Sequence, residues 1–146
     1  MKCFVFALLM LSVSVFAAEV VVMDVPAKGT SRSDDVSARF LIDQVAGTGA
    51  AELSVTREHE ICHHDPESGR DCTTWSSSVL NEKAPIEGLT VVDKKVSVGN
   101  VDCGTMGVSR ILKVPTFFMS GNCTLSADRV TVAGEKRIIV KLITKE

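Results

Sequence analysis

The chain has 146 residues, a formal net charge of −2, five Cys, three His, one Trp and no Tyr. That length holds one domain, and an apolar share of 45% is enough for a real core. The sequence has no basic run suited to nucleic acid or anionic lipid, and no glycine or proline excess of the collagen or low-complexity kind.

Lys2 precedes an apolar run from Phe4 to Phe16, broken only by Ser12 and Ser14. Val15 and Ala17 stand at the −3 and −1 positions of a cleavage site, so residues 1–17 read as a secretory signal peptide. The run is short of the ~20 residues that a membrane span needs. Residues 18–146 are then expected to form a single disulfide-stabilised β domain, periplasmic or secreted, without an integral membrane segment.

Beyond the leader the chain alternates between β-like runs and turns. Glu19 to Val25 is β-branched and ends at Pro26. Residues 30–35 are polar and read as a loop. Val36, Ala38, Phe40 and Ile42 alternate with Ser37, Arg39, Leu41 and Asp43, the two-residue period of a strand. After a turn at Gly47-Thr48-Gly49, Leu53, Val55 and Ile61 share parity against Glu52, Ser54, Thr56, Glu58 and Glu60. Residues 73–80 are rich in Thr and Ser around Trp75, which reads as a core or sheet-packing residue.

Residues 81–88 contain Pro85 and read as a connection. Leu89 to Val98 is a strand with an irregularity at Asp93-Lys94-Lys95. Gly99-Asn100 is a two-residue hairpin signal. Pro115 interrupts the apolar stretch from Val108 to Met119, which places that strand at a sheet edge or breaks it. Turns at 120–122 and 133–136 bracket a strand from Cys123 to Val132, and Ile138 to Ile143 closes the chain. This spacing predicts an all-β fold, an antiparallel β-sandwich (Ig-like in architecture) of seven or eight strands, with a small β-barrel as the alternative.

Export bears on the cysteines. Cys62, Cys72, Cys103 and Cys123 remain once Cys3 leaves with the leader, and an even count in an oxidising compartment reads as two disulfides. Four cysteines allow three connectivities, of which Cys62–Cys72 with Cys103–Cys123 is the expected one. The first would clip a loop of residues 63–71 containing Pro66, Ser68 and Gly69. The second would join neighbouring strands. Each would contribute on the order of 3 kcal/mol.

His59-Glu60-Ile61-Cys62-His63 spells HExxH, and over these five residues the spacing resembles that of zinc-dependent metalloproteases. The resemblance implies two imidazoles on zinc with Glu60 activating its water, all on a helix. The alternating approach to His59 favours a strand instead, on which Glu60 points away from both histidines. In the longer metzincin pattern the glycine and third histidine positions fall on Pro66 and Gly69. A looser metal site of His59, His63 and His64 with Asp65 needs no helix.

Arg70 in the clipped loop offers a second alternative, a protease inhibitor. Gly107-Val108-Ser109-Arg110-Ile111 lacks the final glycine of a nucleophile elbow. No phosphate-binding loop is present. The expected function is a non-catalytic binding or structural module with no catalytic residues and no cofactor. Its partner would be a protein or a small ligand, not nucleic acid.

Overall fold

The computed structural model describes residues 17–146. The expected signal peptide lies outside the described residues except for Ala17, which opens the first strand. The fold is all-β. Among the described residues ten strands run in chain order: β1 (Ala17–Pro26), β2 (Asp35–Asp43), β3 (Thr48–Asp65), β4 (Gly69–Pro85), β5 (Leu89–Val92), β6 (Lys95–Val98), β7 (Val101–Val108), β8 (Pro115–Met119), β9 (Cys123–Val132) and β10 (Glu135–Lys145). They form three antiparallel sheets, ordered β1-β10-β9, β2-β3-β4 and β5-β6-β7-β8, stacked as a β-sandwich. Among the described residues no sheet closes into a barrel, so each keeps two edge strands.

Alternation selects the inner faces. Ile138, Val140 and Leu142 of β10 are buried, as are Ala51, Leu53 and Val55 of β3. Met23, Leu89, Val96 and Met106 join them in one core, and Phe40 of β2 meets Phe117 of β8 edge to face at 5.5 Å between ring centroids. Each fully buried aliphatic side chain contributes about 1.5–3 kcal/mol.

Two features take the strand count past the expected seven or eight: Val101–Val108 is a strand of its own, and one apparent strand is a hairpin. Asp93 and Lys94 have φ of 49° and 66°, the left-handed pair of a type I′ turn, so Leu89–Val98 folds back on itself as β5 and β6. Residues 81–85, expected as a connection, continue β4 opposite Ala50–Ser54. Pro85 is the last residue of that edge strand, where its missing N–H is tolerated. Pro115 likewise opens β8, an edge strand, as its sequence context suggests. Gly99-Asn100 joins β6 to β7.

Both expected cysteine pairs are bridged. Cys103–Cys123 does not join neighbouring strands of one sheet, as the sequence suggests. It ties β7 in one sheet to β9 in another. The cause is a β-bulge: Ser97 pairs with Asp102 and Val96 with Gly104, leaving Cys103 as the extra residue. Gly104 makes the bulge possible with φ of 134°, and a Cβ there would collide with the Phe118 carbonyl. The bulge directs Cys103 inward, where it and Cys123 are fully buried.

Replacing Cys103 and Cys123 together by Ala should lower unfolding stability by about 3 kcal/mol, the loop-closure contribution of the cross-link. Urea unfolding with and without the pair measures this. An unchanged midpoint would show that the bridge is not what fastens the two sheets.

Candidate functional site

Sheet β2-β3-β4 is three strands wide only as far as the pair Asp35–Thr56. From there β3 and β4 continue alone as a two-stranded arm, from Thr56–Ser78 to Asp65–Gly69. Val79 is the extra residue of a bulge at the point of departure, where Val55 pairs with Leu80 and Thr56 with Ser78. A bulge adds local twist. It therefore turns the arm relative to the sheet that it leaves.

The base of the arm is fixed by one charged fork. Arg57 donates from Nε to Asp34 Oδ1 at 2.7 Å and from Nη2 to Asp34 Oδ2 at 2.8 Å. The same Nη2 donates to the Gly29 carbonyl at 2.9 Å, and the Ser31 N–H donates to Asp34 Oδ2 at 2.7 Å. Arg129 of β9 donates to the carbonyls of Asp34 and Arg32. The loop between β1 and β2 is thus held by arginines from two sheets. The Asp34 side chain is inaccessible to solvent, and the Arg57 hydrogen bonds, then the Ser31 N–H, hold its carboxyl far below the ordinary carboxylate range.

On the arm, paired residues share a face. One face continues the side of β3 that buries Leu53 and Val55 in the body. It carries the pairs Arg57–Ser77, His59–Trp75, Ile61–Thr73 and His63–Asp71. The His59 ring stacks on Trp75 with centroids 5.2 Å apart and planes 14° from parallel, and its Nε2 shares a 2.8 Å hydrogen bond with Ser77 Oγ. Trp75 is therefore not a core residue: it is 44% exposed, and Ile61 is 48% exposed. The opposite face carries Glu58–Ser76, Glu60–Thr74, the Cys62–Cys72 bridge and His64–Arg70. Arg70 Nη2 lies 3.2 Å from Cys62 Sγ.

The Cys62–Cys72 bridge does not clip a free loop. The strands run on past it, because His63 pairs with Asp71 and His64 with Arg70, and only residues 66–68 form the turn. Gly69 closes that turn at φ of 88°. The Asp65 carboxylate accepts the Glu67 N–H at 2.8 Å, and this bond together with those from Ser68 holds its carboxyl below the ordinary range. A two-stranded ribbon is marginal in water by itself. A direct cross-strand bridge near its tip, with the Arg57–Asp34 fork at its base, restrains both ends.

The HExxH segment lies on strand β3 rather than on a helix. Four residues of strand separate His59 from His63 by about 13 Å, against about 6 Å along a helix. Glu60 and His64 lie on the face opposite both. Among the described residues one group of potential ligand atoms converges, namely Glu60, Cys62 and Cys72. Its two sulfurs are bonded to each other and so offer no thiolate.

The expected metal residues His59, His63 and His64 therefore stand on one strand but two faces. The sequence reading missed Asp34 and Arg57, whose partnership spans 23 positions without a local signal. The arm itself had a signal. Residues 50–65 hold no glycine or proline and form a run far longer than the ~6 residues of a common strand.

Asp34 supplies a pH test. Its folded pKa lies below its unfolded one, so its stabilisation is fully present above the ordinary carboxylate pKa near 4 and is lost as pH falls below it. Asp34→Asn should lower stability at pH 7 and flatten the acid limb of the stability profile. An acid limb unchanged in the variant would remove the fork from the account of the arm. Compared with protein-family models, curated proteins and solved structures, the chain matches none.

Proposed function

We propose that this protein is an exported, non-catalytic binding module that engages a protein partner through the inner face of the β3–β4 arm. One observation carries the reading. The face that is core in the body continues onto the arm as His59, Ile61 and Trp75, with no element of the described residues laid over it. A stacked imidazole–indole pair beside an exposed isoleucine combines apolar area with hydrogen-bonding edges, the composition of a protein-binding anchor. The arm is restrained at both ends, which lowers the ordering cost of binding. The two disulfides favour an oxidising compartment, and the exported state rests on the apolar N-terminal run.

Two observations weigh against hydrolysis at HExxH. The segment is a strand, and Glu60 faces away from His59. For the inhibitor reading, Arg70 is exposed on the last rungs of a regular ribbon rather than on a bowed loop.

A photoreactive residue at position 75 or 61, introduced in the native host, should cross-link to one discrete partner. The same residue at the exposed turn position 45 should not. Ile61→Ser should abolish the adduct at 75. Glu60→Gln should leave it intact and shift stability by no more than about 0.5 kcal/mol. Absence of any arm-specific adduct would overturn the reading. So would peptide hydrolysis that Glu60→Gln abolishes and a chelator blocks.

A further inference from the structure

The hairpin β7–β8 has an unusual tip. Its loop, residues 109–114, exposes Ile111 at 90% and Leu112 at 71%. Val114 in the same loop and Val108 at the end of β7 are also exposed. Soluble surfaces carry single exposed aliphatics without consequence, but four within the seven residues 108–114 of one hairpin tip call for an occupant.

The group is held outward by an ordered loop. The Ser109 N–H donates to the Val114 carbonyl at 2.9 Å, and the Lys113 N–H donates to the Ser109 carbonyl at 2.9 Å. The Leu112 N–H donates to Ser109 Oγ at 3.2 Å. Lys113 takes a φ of 56° to close the turn. With its backbone tied this way, the loop cannot fold Ile111 and Leu112 back onto the body without breaking those bonds.

Charge names the occupant. The protein as a whole is acidic, with a formal net charge of −2. Yet no Asp or Glu occurs between Asp102 and Asp128, while Arg110 and Lys113 directly flank Ile111-Leu112. Two aliphatic side chains at a tip, bracketed by two cations with long apolar stems, match a lipid interface. The aliphatic pair would enter the acyl boundary while the cations meet anionic headgroups. We infer that the β7–β8 tip is a shallow wedge that docks the protein on an anionic lipid bilayer.

The test reads the tip locally, so that attachment through the N-terminal apolar run is not mistaken for it. In a Trp75→Phe background, Leu112→Trp places one indole at the tip and Val45→Trp places one in the β2–β3 turn, where Val45 is 99% exposed. The full chain is mixed with vesicles of phosphatidylcholine alone or with phosphatidylglycerol, containing brominated lipid as quencher. The indole at 112 should shift to the blue and be quenched on the anionic vesicles, and the one at 45 should not. Adding Arg110→Glu and Lys113→Glu should weaken that partitioning by about tenfold or more, as should raised salt.

An indole at 112 that stays solvent-exposed on anionic vesicles overturns the inference. So does quenching indifferent to the charge reversal, or a blue shift that needs no vesicles and grows with protein concentration, which would mark self-association instead. Trp75→Phe alters the arm in every sample alike, but each outcome reads only the tip, so failure here and failure of the proposed function are separable.

Discussion

The arrangement depends on the fork between Arg57 and Asp34. β2 gives β3 its last partner at Thr56, and one residue later Arg57 reaches across to a carboxylate that solvent cannot touch. A carboxylate in that position is stable only while paired and hydrogen-bonded. Asp34 receives both through the guanidinium and the Ser31 N–H. The fork thereby closes the end of the core at the point where the unaccompanied strands leave it. Arg129 secures the same loop from the far sheet, so the base of the arm is braced from two sides.

The rest of the body makes such an appendage tolerable. The arm buries almost nothing of its own, and its residues beyond Thr56 are at best half-buried. Stability comes instead from β3, β10 and the strands facing them, and from Cys103–Cys123, which fastens two sheets that share no backbone ladder. The bulge at Cys103 and the one at Val79 are local irregularities with distant effects. One turns a sulfur into the core, and the other marks where the arm departs.

Much of this was legible in the sequence, for reasons that also explain the remainder. Strand type, the turns at Gly99 and Gly121, the edge position of Pro115 and both disulfide pairs follow from local chemistry: period-two alternation, left-handed glycines, a missing N–H and an even cysteine count. The type I′ turn at Asp93-Lys94 was hidden because neither residue is a glycine or an asparagine. The fate of Trp75 was hidden because an indole beside alternating residues looks the same whether a sheet covers it or not. The histidine cluster read as a potential metal site because it is dense in sequence. A pleated strand then divides neighbours between two faces, and His64 is turned away from His59 and His63.

The arm and the β7–β8 tip are exposed apolar features of different chemistry, and the difference bears on what each can recognise. On the arm, imidazole and indole stack in a fixed geometry, and the ring of His59 is held by Ser77. Such a surface is directional, because its rings have edges, faces and nitrogen atoms that a partner must match, and mismatch leaves polar groups unpaired. At the β7–β8 tip the exposed groups are branched alkyl chains flanked by two cations, a surface without direction beyond depth and charge. Directional recognition suits one structured partner, while depth and charge suit a fluid interface that offers no fixed atoms. If both proposals hold, the module would bind a specific protein while resting on a lipid surface, and confinement to that surface would raise the effective concentration at which the arm meets a partner.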